Sequence, residues 1–357
     1  MIDIGLIDMS NKRDLKEIIR KIQLMGGSSL VVSLPKNWVK NVGLKPGNYV
    51  YMVIEEDKSL RIFPTSSKRR KPVGTVVVAE KISMKEYGNY MVLREVMSRY
   101  LAGYELITIV FNDHDPENRR LLKEIISKKM IGVEVIDEVQ DRITFQVLVS
   151  IEGLSANKII QRMCYVTSGM LRDIITALEN HDKKLLRDVI DRDDNIDKFY
   201  LYILRQLNMI TRSYVSINKV GLSSVEEIPQ YIMVAKSIER IADHAQKTAS
   251  NLLKLVDDDM KSKEEVFNRI KRIIISAQRT FKDSVKAFME RKRELAHHLL
   301  NAGAKKFAEN EAKWMNKVIV LNDIRMFALL RLILDSLQRI TDYSMDIAEA
   351  TIDLTVK

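Results

Sequence analysis

Apolar positions follow two different rhythms along the chain. Near the N-terminus they come in short, strand-length runs broken by Gly and Pro, whereas beyond residue 154 they recur every three or four positions. Residues 10–21 read as a short charged helix or arm with Leu15, Ile18 and Ile19 as its apolar positions. Gly26-Gly27 then marks a turn, and Ser29-Leu30-Val31-Val32-Ser33-Leu34 predicts a strand that stops at Pro35. Pro35 suits the start of a short helix over 36–40, ending near Gly43. Residues 49–54 and 60–63 predict two more strands, with a turn at Glu56-Asp57-Lys58 and a stop at Pro64. A unit of about forty residues built this way buries too little core to stand alone, so it is expected to dimerise.

Thr65-Ser66-Ser67-Lys68-Arg69-Arg70-Lys71-Pro72 has the composition of a linker. Strands over 73–80, 106–111, 133–136 and 142–147, with helices over 90–101 and 117–129, then predict a small α+β domain without a recognisable ligand motif. From 154 onward the period is helical. Helices are expected over 154–180, 183–211 and 225–255, and again over 264–292, 294–321 and 322–354. The third helices share a motif: Ser237-Ile238-Glu239-Arg240-Ile241-Ala242-Asp243 aligns with Ser336-Leu337-Gln338-Arg339-Ile340-Thr341-Asp342. The expected fold is multi-domain and mainly α. It comprises a small β domain over 1–66, a linker and α+β domain over 67–153, and two three-helix bundles over 154–258 and 259–357.

Charge sharpens this division. Of the formal net charge of +10, residues 1–71 carry 14 Lys/Arg against 7 Asp/Glu, that is +7. So local an excess points to a polyanion, with nucleic acid the first expectation and an anionic membrane surface the second. The single cysteine, Cys164, excludes an intramolecular disulfide and reads as a small core residue. Asp3 and Asp8 interrupt any signal-like apolar run, and the most apolar stretch, 326–334, contains Arg331. A cytoplasmic protein with no transmembrane segment is expected.

In the helical region Glu239 and Asp243 are four residues apart and share a face, as do Asp193 and Asp197. If the two helices pack together, four carboxylates converge, and such a set requires protons or a hard or iron-type cation. Asp194 is a neighbour, and Arg240 offers the alternative of an ion network with no metal. His244 reads as a helix-surface residue. The chain shows no HExxH, GxSxG, Walker-A or Rossmann signature, and a lone Glu294-Leu295-Ala296-His297 falls short of the pair a di-iron bundle needs, so an enzyme is not expected.

Two resemblances give these readings names. Arg20-Lys21-Ile22-Gln23, Gly27-Ser28-Ser29, Val32-Ser33-Leu34-Pro35-Lys36 with Trp38, Gly43-Leu44-Lys45-Pro46-Gly47 and Leu60-Arg61-Ile62 resemble the AbrB-type swapped-hairpin DNA-binding domain. That resemblance implies an intertwined homodimer with a basic face on DNA. The contacts carried over are Arg20, Lys21, Ser28, Ser29, Lys36 and Lys40. The duplicated triple helix, with Glu-Arg-Ile-x-Asp in its third helix and Asp-x-x-x-Asp in its second, is similar to the PhoU family of phosphate-uptake regulators.

The PhoU resemblance implies a metal cluster, of iron, zinc or another divalent cation, held in the first bundle by Asp193, Asp197, Glu239 and Asp243. The second repeat departs from the pattern, with Gln338 in place of the acid and Ala302-Gly303-Ala304-Lys305-Lys306-Phe307 where aspartates are expected, so at most one full site is predicted. The resemblance also implies control of phosphate import, with components of the phosphate ABC transporter as partners. The expected function is a dimeric DNA-binding regulator of phosphate-transport genes. The alternative is a transporter-associated adaptor that inhibits the transporter without binding DNA.

Overall fold

The computed structural model describes residues 18–27, 29–54, 58–64, 74–79, 88–111, 116–150, 153–255, 264–301 and 324–356. The chain divides into two compact units, Met1–Lys68 and Arg69–Lys357.

In the first unit β1 (Gln23–Met25) pairs antiparallel with β2 (Ser29–Val31), and β3 (Val50–Ile54) with β4 (Leu60–Pro64). The short helix α1 (Lys36–Asn41) lies between the hairpins in the chain. Gly26 and Gly27 both have positive φ, which is why glycines occupy the first hairpin turn. The second strand is shorter than the 29–34 run suggested, since it ends at Val31 and 32–35 belongs to no strand. The expected arm over 10–21 is not helical at residues 18–21, and its remainder lies outside the described residues, as do the 65–72 linker and Ser28. Among the described residues of 18–64, Pro64 alone is buried; Leu30 is 72% and Ile54 79% exposed.

The second unit begins with a four-stranded sheet in the order β5-β6-β8-β7. Its strands are β5 (Gly74–Ala79), β6 (Leu106–Phe111), β7 (Val133–Val139) and β8 (Arg142–Val147). β5 and β6 run parallel through the crossover helix α2 (Gly88–Leu101); the other pairs are antiparallel. α3 (Pro116–Lys129) precedes the β7–β8 hairpin. Alternation buries Ile107, Ile109, Phe111, Ile143 and Phe145 together with Val96, Tyr100, Leu122 and Ile126 of the two helices. On the other strand face Thr108 and Thr144 meet at 3.1 Å.

The helices that follow are α4 (Ala156–Asn180), α5 (Lys183–Asp191), α6 (Asp193–Thr211), α7 (Ile228–Leu255), α8 (Glu264–Met289), a helical stretch at 293–301 and α9 (Ile324–Leu354). α2 and α3 rest on α6, and α7 packs against α4, α5, α6 and α9. One contiguous apolar core runs from the sheet to α9.

The continuous helix expected over 183–211 is broken. Arg192 has ψ −16°, and the chain restarts as α6 with Asp193 and Asp194 in its first turn. The Arg192 guanidinium clasps Asp188 and, at 2.5 Å, Asp173 of α4, which holds the break in place. Restarting the helix here sets acidic side chains at the positive end of a backbone dipole, where anions are favoured.

The repeated motif is spaced by 336 − 237 = 99 residues, and its two copies meet. Ile241 and Ile340, at matching positions of α7 and α9, are both fully buried. His244 matches Tyr343, and these two rings lie 5.8 Å apart, with the Arg240 guanidinium 5.3 Å over the same tyrosine. His244 is therefore a half-buried interface residue whose Nδ1 has no hydrogen-bond partner, not a surface one. The pattern misread it because its face turns toward the sister repeat, which only packing reveals.

Candidate metal centre and basic hairpin domain

The acidic centre is assembled from two helices. Asp193, Asp194 and Asp197 occupy the first turns of α6, and Glu239 and Asp243 the middle of α7, where Ala235, Ala242 and Ala245 are fully buried and let neighbouring backbones come close. Carboxylate oxygens of Asp197, Glu239 and Asp243 all lie within 4.8 Å of one another. Asp193 faces the same group: burial first, then the charges of Asp243, Asp197, Glu239 and Asp194, push its carboxyl up to about 7. Burial also raises Glu239, against the opposing pull of Lys236. Asp193 Oδ1 and Glu239 Oε2 are buried and lack hydrogen-bond partners. An acceptor shut away from water without a donor costs free energy, so these two oxygens mark where a cation fits.

The cations present come from places the local pattern did not indicate. Lys236, one turn before Glu239, donates to Glu239 Oε1 at 2.6 Å. Lys129 of α3 reaches Asp197 Oδ2 at 3.3 Å, and Lys128 pairs with Asp194. Arg240, the alternative neutraliser, instead stacks on Tyr343, because adjacent side chains on α7 point to different neighbours.

The corresponding place in α9 is closed on itself. Gln338 donates to Asp342 Oδ1 at 2.6 Å, and Arg339 lies 3.9 Å from the same carboxylate. The segment over 302–307 lies outside the described residues.

In the hairpin domain Arg20, Lys21, Ser29, Lys36 and Lys40 are all exposed, and Lys36 and Lys40, four apart on α1, project to one side. Trp38 is half-buried, in keeping with a packing role.

Comparison with known proteins follows the same partition. The PhoU domain family matches residues 160–252, and the family described as antidote-toxin recognition MazE, bacterial antitoxin, matches residues 23–70. A phosphate-specific transport system accessory protein PhoU homolog 1 of Thermotoga maritima is 29% identical over 140 residues, covering 39% of this chain and 58% of its own length. A PhoU homolog of Caulobacter vibrioides is 25% identical over 131 residues, 36% of this chain and 52% of its own. The chain thus spans a little over half the length of these curated relatives. The crystal structure of PhoU from Pseudomonas aeruginosa superposes with a TM-score of 0.47 at 20% identity, over 55% of this chain and 93% of that one. No helix among the described residues is long and apolar enough to cross a membrane. The segment from α4 to α7 thus carries most of the match to the PhoU domain family, and the two hairpins carry the match to the MazE antitoxin family.

Proposed function

We propose that the protein regulates phosphate uptake as a homodimer that grips DNA through its N-terminal hairpins and binds a cation in its helical unit. The observation that carries this reading is the unfinished state of the hairpin domain, whose apolar strands are exposed in a single chain beside the exposed Arg20, Lys21, Lys36 and Lys40. Covering Ile22, Leu24, Met25, Leu30, Met52 and Ile54 with a second copy is favourable by about 1.5–3 kcal/mol for each side chain fully buried. A two-stranded hairpin is marginal alone, so pairing and folding coincide. Arg20, Lys21, Lys36 and Lys40, doubled by the dimer, supply phosphate contacts, and Ser29 a neutral hydrogen bond. Ser28 is assigned with them on resemblance alone.

In the helical unit, Asp197, Glu239 and Asp243 bind the cation directly, with Asp193 completing the set. Its donors are all oxygens, which suits manganese, magnesium or ferrous iron better than zinc, whose protein sites favour nitrogen and sulfur. The cation neutralises charge that α6 and α7 otherwise hold apart.

Anisotropy titration of phosphate-transport promoter DNA tests the reading. Affinity should fall steeply with salt, and Lys36→Ala should flatten the log–log slope by about one for each phosphate that is no longer neutralised. Salt-insensitive or absent binding rejects the DNA-gripping role. A second reading has support in the relatives, which are accessory proteins of phosphate-specific transport systems. In it the hairpins only dimerise the chain and the helical unit engages the transporter. Co-purification with transporter components without DNA binding selects it.

A further inference from the structure

β5 forms one edge of the four-stranded sheet and β7 the other. An edge strand offers a row of backbone N–H and C=O groups to any strand that reaches it, and folds commonly blunt that row with charges or a bulge. β7 is blunted in both ways. Glu134, Asp137 and Glu138 lie along it, and its register slips between Val135 and Asp137. β5, Gly74-Thr75-Val76-Val77-Val78-Ala79, carries no charge and no proline, and it pairs with β6 residue for residue without a bulge.

Among the described residues β5 pairs with β6 alone, so its outward N–H and C=O groups have no ladder partner. Val77 is 4% exposed in the core under the helices, whereas Val76, on the opposite face, is 56% exposed. A neutral, β-branched edge with one face open has the chemistry that recognises an added strand.

We infer that β5 pairs antiparallel with β5 of a second copy, continuing the sheet across the two-fold axis of the homodimer proposed above, on which this inference rests. Two-fold symmetry makes such a pair self-complementary, because each copy presents the same alternating donors and acceptors. β5 against β7 of another copy would instead build an open filament, and the acids and bulge of β7 oppose it. The hairpin dimer supplies the encounter. Residues 65–73 join β4 to β5 and span at most ~30 Å when fully extended, so two copies held at their hairpins keep their β5 strands at high effective concentration. So short a strand pair buries too little surface to hold two chains unaided, and it forms only under that tether.

Cross-linking of the full-length protein with a short bis-maleimide tests this, with Cys164→Ser removing the native thiol. Opposed residues of an antiparallel pair share a face, so Val76 meets itself or the residue two positions on, with ~4.5–8 Å between the two copies. Val76→Cys should therefore cross-link the dimer. Ile136→Cys, exposed on β7, should do so about tenfold less, because seven strand spacings of ~4.8 Å separate the two β7 strands of a joined sheet. Adding Leu30→Asp should abolish the Val76→Cys product. Hydrogen exchange gives a second readout: Val76→Lys, which puts a charge on the exposed face of the edge, should leave a dimer in sedimentation but speed exchange of β5 amides about tenfold. A sedimenting dimer in which Val76→Cys cross-links no better than Ile136→Cys overturns the β5 contact and leaves the homodimer standing. Equal β5 exchange in wild type and Val76→Lys overturns it as well, and a wild-type chain that sediments as a monomer overturns both the contact and the homodimer.

Discussion

Lys129 Nζ lies 3.3 Å from Asp197 Oδ2, joining the last turn of α3 to the first turns of α6. Lys128 makes the same crossing to Asp194. Both ends are electrostatically apt, with cations at a helix C-terminus and anions at a helix N-terminus. The sheet half of the unit thereby brings positive charge to the acidic centre.

That arrangement sets up a competition. Replacing Lys129 with Ala should strengthen Mn²⁺ binding two- to fivefold, because a partly exposed ion pair contributes about 0.3–1 kcal/mol and a metal must displace it. Calorimetry on wild type and Lys129→Ala measures this. Weaker binding in the variant would show that the lysine shapes the site instead of occupying it.

The acidic centre should also give the metal-free protein an inverted pH profile. Asp193 in the fold holds its proton up to about 7, above its ordinary carboxylate value, and Glu239 shifts the same way. The folded state therefore binds more protons than the unfolded one over this window. Stability is full below the unfolded carboxylate range and is lost as pH rises through neutrality. Thermal melts between pH 4 and pH 8, values spanning about the window set by these shifts, should show a falling Tm. Asp193→Asn should flatten the fall, and saturating Mn²⁺ should cancel it. A Tm that rises across the window would contradict the buried-carboxyl geometry.

Burial at the repeat interface sets a further expectation. Ile340 on α9 is fully buried in the core shared from the sheet to the last helix. Truncating it to Ala should destabilise the helical unit by about 2–5 kcal/mol. Far-UV circular dichroism in urea should show one helical transition shifted as a whole. Two separated transitions would mean that the repeats melt independently.

Leu30, 72% exposed on β2, tests the hairpin domain separately. Leu30→Asp should convert a dimer to a monomer in analytical ultracentrifugation and lower DNA affinity at least tenfold, while leaving most helical signal intact. An unchanged dimer would place the contact elsewhere.

Much of this was readable along the chain, because periodicity reports geometry that each element imposes on itself. Alternation located β6 at Leu106–Phe111, and the three-to-four spacing located α7 and α9 to within a few residues. The repeated Ser-x-x-Arg-Ile motif announced two related halves, and the spacing of Glu239 with Asp243 and Asp193 with Asp197 announced shared faces. The break at Arg192 was hidden because every residue around it tolerates a helix; the clasp on Asp173, in another element, makes it.

Pairing between elements is what the linear pattern does not encode. Lys129 and Asp197 are 68 positions apart, and Arg205 and the Tyr100 carbonyl 105. Which cation reaches which acid depends on the angle and depth at which helices settle on one another, quantities set by the whole packed core. Residue types and their spacing determined the elements, the basic N-terminal unit and the acidic pairs. Tertiary packing decided that Lys129 and Lys236, and not Arg240, face those acids, and that the Arg205 guanidinium closes the end of α2.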